Sequence, residues 1–131
     1  MPDTTEYNAI AGVPLTRGKI QGQAINAAAT VTMDVPCGGT DFVTVEADMT
    51  AAATGDMVVT VVAYEADGVT LQPTPLPAVA GVGYVSTLSG GHDYFIQQYN
   101  VQGIDKVQVQ LKNNNAGAQT ITRLSWRTAS W

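Results

Sequence analysis

The sequence has few of the residues on which catalysis and metal binding usually depend. Among its 131 residues there are one histidine and one cysteine, and only 13% of the residues are charged. A single cysteine excludes a disulfide within the chain, and one cysteine with one histidine cannot supply the ligands of a zinc site without carboxylates. We therefore expect no metal and no cofactor, and the lack of disulfides favours synthesis in a reducing cytoplasm.

The single histidine and the single cysteine both lie in apparent turns. His92 falls in the run Ser89–Asp93, which contains the residue types of a hydrolase triad within one turn. Such a triad is assembled from distant parts of a fold so that the base faces both partners. We therefore interpret His92 as a turn residue in water. Cys37 precedes two glycines and is interpreted as a small packing residue, so the sequence predicts that the protein is not an enzyme.

Long apolar runs are also lacking. No stretch approaches the roughly 20 apolar residues of a membrane span. The segment Met1–Glu6 has neither the basic region nor the apolar run of a signal peptide. We expect no contact with a membrane.

Charge is scarce and unevenly distributed. Residues 1–105 contain two basic and all eleven acidic residues, a net charge of −9, whereas residues 106–131 contain four basic residues and no acid, a net charge of +4. An acidic chain of this kind is not expected to bind nucleic acid directly. Two interpretations of the basic end remain: a local face for an acidic partner, or basic strands that lie beside acidic ones in one domain.

What the sequence does have is a strand pattern. Lys106–Lys112 alternates strictly between polar and apolar residues, which is typical of a strand with one buried face. Met57–Glu65 is apolar on both faces, which predicts a central strand covered on two sides. With turns rich in Gly, Pro and Asn, the chain is predicted to form about eight strands, drawn from Lys19–Ile25, Thr30–Val35, Phe42–Ala47, Met57–Glu65, Val69–Gln72, Val82–Leu88, Tyr94–Val101, Lys106–Lys112 and Gln119–Arg127.

Two segments between these strands are predicted to be irregular, and the last strand has a break in its alternation. Met49–Asp56 is predicted to be a loop, and Pro73–Pro77 an extended connection, because proline cannot donate a hydrogen bond within a sheet. In the last strand, Leu124 and Trp126 share a face but Ile121 falls on the other. Either a β-bulge lies near Thr122, or Ile121 is exposed at a contact; Trp126 is predicted to lie in the core.

These features predict an all-β protein. We expect a single-domain antiparallel β-sandwich over residues 20–131. It should be jelly-roll-like, because the Cys…Trp…Cys core of an immunoglobulin-like sandwich is absent. Residues 1–19 show no sustained period. They are predicted to form an N-terminal arm that docks on a neighbour, or else a frayed terminus.

Part of the chain resembles a known class of viral protein. The residues that carry the resemblance are Val58–Tyr64 with the turn at Asp67, the run Tyr99–Val109, the turn Asn113–Gly117 and the final strand. They are similar to small β-sandwich structural proteins of tailed bacteriophages, and most of all to capsid decoration (cement) proteins. The resemblance covers residues 30–131 and carries over no functional residue.

The resemblance implies a non-enzymatic virion protein. Such proteins are usually homotrimers that bind the major capsid protein on the outer surface of the capsid and stabilise the lattice, after synthesis in the host cytoplasm. Carbohydrate- or receptor-binding β-sandwich modules of phage fibres and similar adhesins have comparable runs, and this is the alternative function.

Several residues are candidate contacts with coat protein or with a sister subunit. They are the apolar residues of the arm, the basic residues of the last strands, and the terminal tryptophan, which packs either on its own domain or on a neighbour. These candidates are Ile10, Val13, Leu15, Lys112, Arg123, Arg127 and Trp131.

Overall fold

The computed structural model describes residues 6–7, 17–50, 57–80, 83–89 and 92–130. Within these ranges the chain forms β-strands and no helix, so the all-β prediction is confirmed. The strands are β1 (Glu6–Tyr7), β2 (Arg17–Ile25), β3 (Thr30–Pro36), β4 (Phe42–Thr50), β5 (Met57–Ala63), β6 (Gly83–Ser89), β7 (His92–Asn100), β8 (Lys106–Asn113) and β9 (Gln119–Ala129).

The strands form two antiparallel sheets. One sheet has the order β1-β2-β9-β4-β7-β6 and the other the order β3-β8-β5. Alternate residues of strands in both sheets point into a single buried apolar cluster, as in Val43 and Val45 of β4 and Val107 and Val109 of β8. Two sheets that share one core form a β-sandwich, which confirms the predicted architecture.

The strand pairing is nested. β4 pairs with β7, β3 with β8 and β2 with β9, which is the order of pairing in a jelly roll. β6 departs from this nesting, because it joins β7 in the six-stranded sheet instead of pairing with β5. The jelly-roll subtype therefore stays a prediction, as does the division into an arm and a domain. β2 begins at Arg17, so the last three residues assigned to the arm lie in the sheet.

Two predictions are wrong: the position at which β4 ends, and a short strand after β5. Met49 and Thr50 continue β4 into the segment that was predicted to be a loop, and Met49 is 1% exposed. The short strand predicted at Val69–Gln72 is reduced to an isolated bridge between Tyr64 and Leu71. The physical reason is the Asp67 carboxylate, which accepts hydrogen bonds from the backbone amides of the next residues and closes a turn there.

β5 is an edge strand, not the central strand that its apolar faces predicted. The central strand of this sheet is β8. The outer edge of β5 meets the proline-rich segment, where Leu76 N–H donates to the Val61 carbonyl at 2.8 Å. The outward-facing Val62 is also buried, at 6% exposure. On the same outer face Val58 is 38% exposed, so the second apolar face does not reflect a central position.

The phase break in β9 is a β-bulge. Asp48 pairs with Arg123, but the next residue, Met49, pairs with Ile121, so Thr122 is an extra residue in β9. Ile121 is therefore fully buried, although it lies at an odd spacing from the buried Leu124. This confirms the first of the two interpretations of the phase break and rules out an exposed Ile121.

The neighbouring strand β2 changes phase beside the bulge. Ile20 and Ile25 are both buried although their odd spacing would place them on opposite faces of a regular strand. Between them Gly22 has a φ of +67°, a conformation that glycine adopts at no steric cost. Gly22 thus lets β2 follow the irregularity of β9.

We predict that Gly22→Ala lowers the free energy of unfolding by about 1 kcal/mol, because a side chain at positive φ is strained. No atom lies within 4 Å of a Cβ placed at Gly22, so the loss reports on the backbone alone. Gly117→Ala is the matched control, since its surroundings are equally open and its φ is not positive. Urea denaturation measures both, and equal stability of the two variants would contradict the assignment.

Asn113 holds one end of the sandwich together. Its Nδ2 donates to the backbone carbonyls of Ile25, Asn26 and Gly117 at 3.0–3.2 Å. Its Oδ1 accepts from the backbone and side-chain nitrogens of Asn115, both at 2.8 Å. The residue is fully buried and every polar atom of its side chain is used, so it joins the end of β2 to the turn after β8.

Replacing Asn113 with alanine should cost about 2–4 kcal/mol of unfolding free energy, because several buried polar groups lose their partner together. Asn114→Ala is the control, since Asn114 lies between two buried asparagines but is itself exposed. Thermal and urea unfolding of both variants test this. A loss at Asn113 no larger than at Asn114 would show that the buried hydrogen bonds contribute little.

Candidate functional site

The outer face of the six-stranded sheet presents a grid of polar and aromatic side chains. It is formed by the outward-facing residues of three adjacent strands, β9, β4 and β7. In this register Asp48 lies between Arg123 and Tyr94, and Glu46 lies between Ser125 and Ile96. Thr44 lies in the same way between Arg127 and Gln98. We call this surface the β4 face, and its residues are Thr44, Glu46, Asp48, Tyr94, Ile96, Gln98, Arg123, Ser125 and Arg127.

Glu46 pairs with both arginines of the β4 face. Its Oε1 lies 3.7 Å from Arg123 Nη2, and its Oε2 accepts a hydrogen bond from Arg127 Nη1 at 3.3 Å. The two arginine side chains are 53% and 55% exposed. Exposed pairs of this kind contribute about 0–1 kcal/mol to stability. The guanidinium groups therefore retain donors that can bind a partner at little cost to the fold.

A depression of about 240 Å³ lies within the β4 face. It is lined by Glu46, Asp48, Tyr94, Ile96 and Arg123, with backbone of the intervening residues at its base. Two carboxylates, a guanidinium and a phenol ring surround this space, so it combines hydrogen-bond donors and acceptors with an apolar surface. Such a combination suits a neutral polar partner better than a highly charged one.

The structure brings together only part of the predicted contact set. Arg123 and Arg127 share the β4 face. Lys112 is exposed on β8, in the other sheet, so the three basic residues do not form one surface. The remaining candidates lie outside the described residues, and they are Ile10, Val13, Leu15 and Trp131.

Glu46, Asp48, Tyr94 and Ile96 were not among the predicted site residues. The alternation of β4 does place Glu46 on the outside, and this signal was present in the sequence. What the sequence lacks is the pairing of β4 with β9 and β7, which joins segments far apart in the chain. Without that register, no pattern sets Tyr94 next to Asp48.

The outer face of the three-stranded sheet carries a hydrogen-bonded network. Tyr64 Oη donates to Asp34 Oδ1 at 2.6 Å and accepts from Gln108 Nε2 at 3.0 Å. The bond to Asp34 raises the pKa of Tyr64. Lys106 Nζ lies 4.1 Å above the centre of the Tyr64 ring, in a cation–π contact. The network connects β3 and β8 with Tyr64, the residue that follows β5, so its contacts are accounted for by holding the sheet together.

The single cysteine is buried. Cys37 is 1% exposed, and burial, with a smaller contribution from the charge of Asp105, raises its pKa to about 11. Its thiol contacts the Ile104 carbonyl at 3.5 Å. A protonated and inaccessible thiol is not a nucleophile, in agreement with its interpretation as a packing residue. His92 is the first residue of β7 and pairs with Thr50, so its placement in a turn is wrong.

Metal-binding clusters and membrane-spanning helices are both absent from the described part of the chain. No group of three or more His, Cys, Asp or Glu residues there is arranged to hold a metal ion. No helix of these segments has the length and apolar character needed to cross a membrane. Comparisons of the chain with protein-family models, with curated proteins and with solved structures gave no match.

We predict that Cys37 does not react with a thiol reagent such as Ellman's reagent in the native protein at pH 8, because its pKa of about 11 keeps it protonated and burial blocks access. The same protein in guanidinium chloride should release one equivalent of chromophore, since the chain has one cysteine. Rapid stoichiometric reaction of the folded protein would contradict the buried position.

Proposed function

We propose that the protein acts by binding and not by catalysis, as a structural module that attaches to a partner protein through the β4 face. The observation that supports this is the pair of half-exposed arginines, Arg123 and Arg127, beside Tyr94 and Ile96 on one sheet face. Arginine and tyrosine are enriched among the residues that contribute most to protein interfaces. A sheet also holds them in a rigid arrangement.

The resemblance to capsid decoration proteins names the partner in this proposal. The β4 face would bind the major capsid protein on the outer surface of the virion, after synthesis in the host cytoplasm, and the bound protein would stabilise the lattice. The β4 face carries two basic and two acidic side chains, which suits a polar protein surface. Binding through such a face would not require opposite net charges on the two proteins to bring them together.

The test is co-sedimentation of the purified protein with capsids of the virus that encodes it, prepared without this protein. Arg127→Ala should weaken binding about tenfold, or about 1.4 kcal/mol, because arginine is enriched among the interface residues whose truncation costs most. Lys112→Ala removes the same charge from the opposite sheet and should bind like the wild type. Failure of the wild-type protein to sediment with capsids, or equal effects of the two variants, would contradict the proposal.

A second function is favoured by the depression itself. An aromatic ring next to two carboxylates and a guanidinium resembles the lining of a small carbohydrate site, in which a sugar stacks on Tyr94 and its hydroxyl groups bind Asp48 and Arg123. A glycan array distinguishes the two functions. Binding to a glycan that is lost in Tyr94→Ala would support the carbohydrate function over attachment to a capsid.

A further inference from the structure

The two edges of the three-stranded sheet differ in how their backbone groups are satisfied. On the β5 edge, the Met57 N–H donates to the buried Asp93 carboxylate at 2.7 Å. The carbonyls of Val61 and Ala63 accept hydrogen bonds from Leu76 and Gln72, both at 2.8 Å. Leu76 belongs to the proline-rich segment and Gln72 directly precedes it, so this edge is covered by the chain's own residues.

On the opposite edge, β3, the described residues provide no such cover. Cys37 N–H donates to the Asp105 carbonyl at 2.9 Å, and hydrogen-bonded positions recur at every second residue of an antiparallel pair. The odd-numbered residues of β3 therefore bond to β8. The backbone groups of Thr30, Thr32 and Asp34 point away from it. Over the described ranges, no backbone hydrogen bond reaches these three residues from that side.

β3 also lacks the features that usually protect an open edge. Its pairing with β8 runs without a bulge from Thr30 to Pro36, and it contains no lysine. Its proline stands at the last position, and its one charge, Asp34, is held by Tyr64. Strands with these properties are templates for the addition of another strand. Another strand can therefore add to this edge, which is regular, rich in β-branched residues and uncovered by the described residues.

We propose that β3 pairs with β3 of a second copy of this chain, antiparallel and about a two-fold axis, with Thr32 opposite Thr32 of the second copy. In this register Thr30 lies opposite Asp34 of the second copy. All six free amide and carbonyl groups of the three residues in each copy are then satisfied. The two three-stranded sheets become one continuous sheet, and the interface is isologous.

Charge and proline select this register over the registers that are shifted towards Pro36. Centring the axis on Asp34 would place two carboxylates directly opposite each other, which is unfavourable. Shifting the pairing by one step towards Pro36 would set the proline, which has no N–H, opposite Thr30, and one carbonyl in each copy would lose its donor. The pairing centred on Thr32 avoids both costs and depends only on residues that the β3 edge already presents.

The inward-facing row of β3 supports the same pairing. Val31 packs against the core but remains partly exposed at the sheet edge, while Met33 is 5% exposed. In the proposed register Val31 lies opposite Met33 of the second copy. The pairing would cover Val31, so the core row would continue from one copy into the next. This surface is separate from the β4 face, and the inference goes beyond the proposed function. It also departs from the homotrimer that the resemblance to capsid decoration proteins implies.

A pair of matched substitutions tests the interface by light scattering at several protein concentrations. The wild type should form a dimer, with twice the chain mass of 13.7 kDa. Thr32→Glu should weaken the dimer about fivefold or more, because it places two like charges opposite each other. Thr60→Glu is the control, since Thr60 flanks the same Gln110 from the β5 side of β8. A monomer at every concentration, a trimer, or equal effects of the two variants would overturn the proposal.

Cross-linking provides a readout that does not depend on the stability of the glutamate variants. Directly opposite residues of a hydrogen-bonded pair have Cα atoms about 5.5 Å apart, within the range that a disulfide spans. Thr32→Cys should therefore form a cross-linked dimer under mild oxidation, whereas Thr60→Cys should not. Equal or absent cross-linking of the two variants would overturn the register. Neither substitution lies on the β4 face, so capsid or glycan binding by these variants tests the proposed function separately.

Discussion

The β4 face and the core of this protein both depend on one extra residue, Thr122 in β9. In a regular strand Ile121 and Arg123 would share a face, so the burial of Ile121 would carry both arginines of β9 into the core. The bulge reverses the phase, and Gly22 lets the neighbouring β2 follow it. Ile121, Leu124 and Trp126 are then buried together. The same irregularity leaves the two arginines outside, where they meet Glu46.

The interactions that hold the sandwich together are distinct from those proposed to bind partners. Stability comes from the buried apolar cluster and from the fully satisfied Asn113 at one end. The pairs of Glu46 with the two arginines are exposed and add little. The open edge of β3 adds nothing to the isolated chain. Surfaces that contribute little to folding can be occupied by a partner without loss of the fold, and both proposed interfaces are of this kind.

The sequence predicted the elements better than their arrangement. Alternation was sufficient for β8 and for β4 as far as Ala47, and the odd spacing of Ile121 and Leu124 left a bulge as one of two interpretations. The central position assigned to β5 was wrong because an apolar outer face also occurs on an edge strand, where Val62 is buried and Val58 is exposed. Of the residues that form the β4 face, only Arg123 and Arg127 were predicted from the sequence as contact residues. Asn113 looked like a turn residue, because its buried partners come from β2 and the β2–β3 turn, far away in the sequence.

The most direct test of this account is the register between β4 and β9, read from cross-strand nuclear Overhauser effects in the isotope-labelled protein. The account predicts contacts of Asp48 with Arg123 and of Met49 with Ile121, and no residue of β4 opposite Thr122. A continuous register, with Met49 opposite Thr122, would contradict it, because Ile121 and the two arginines would then have to share one face of the sheet.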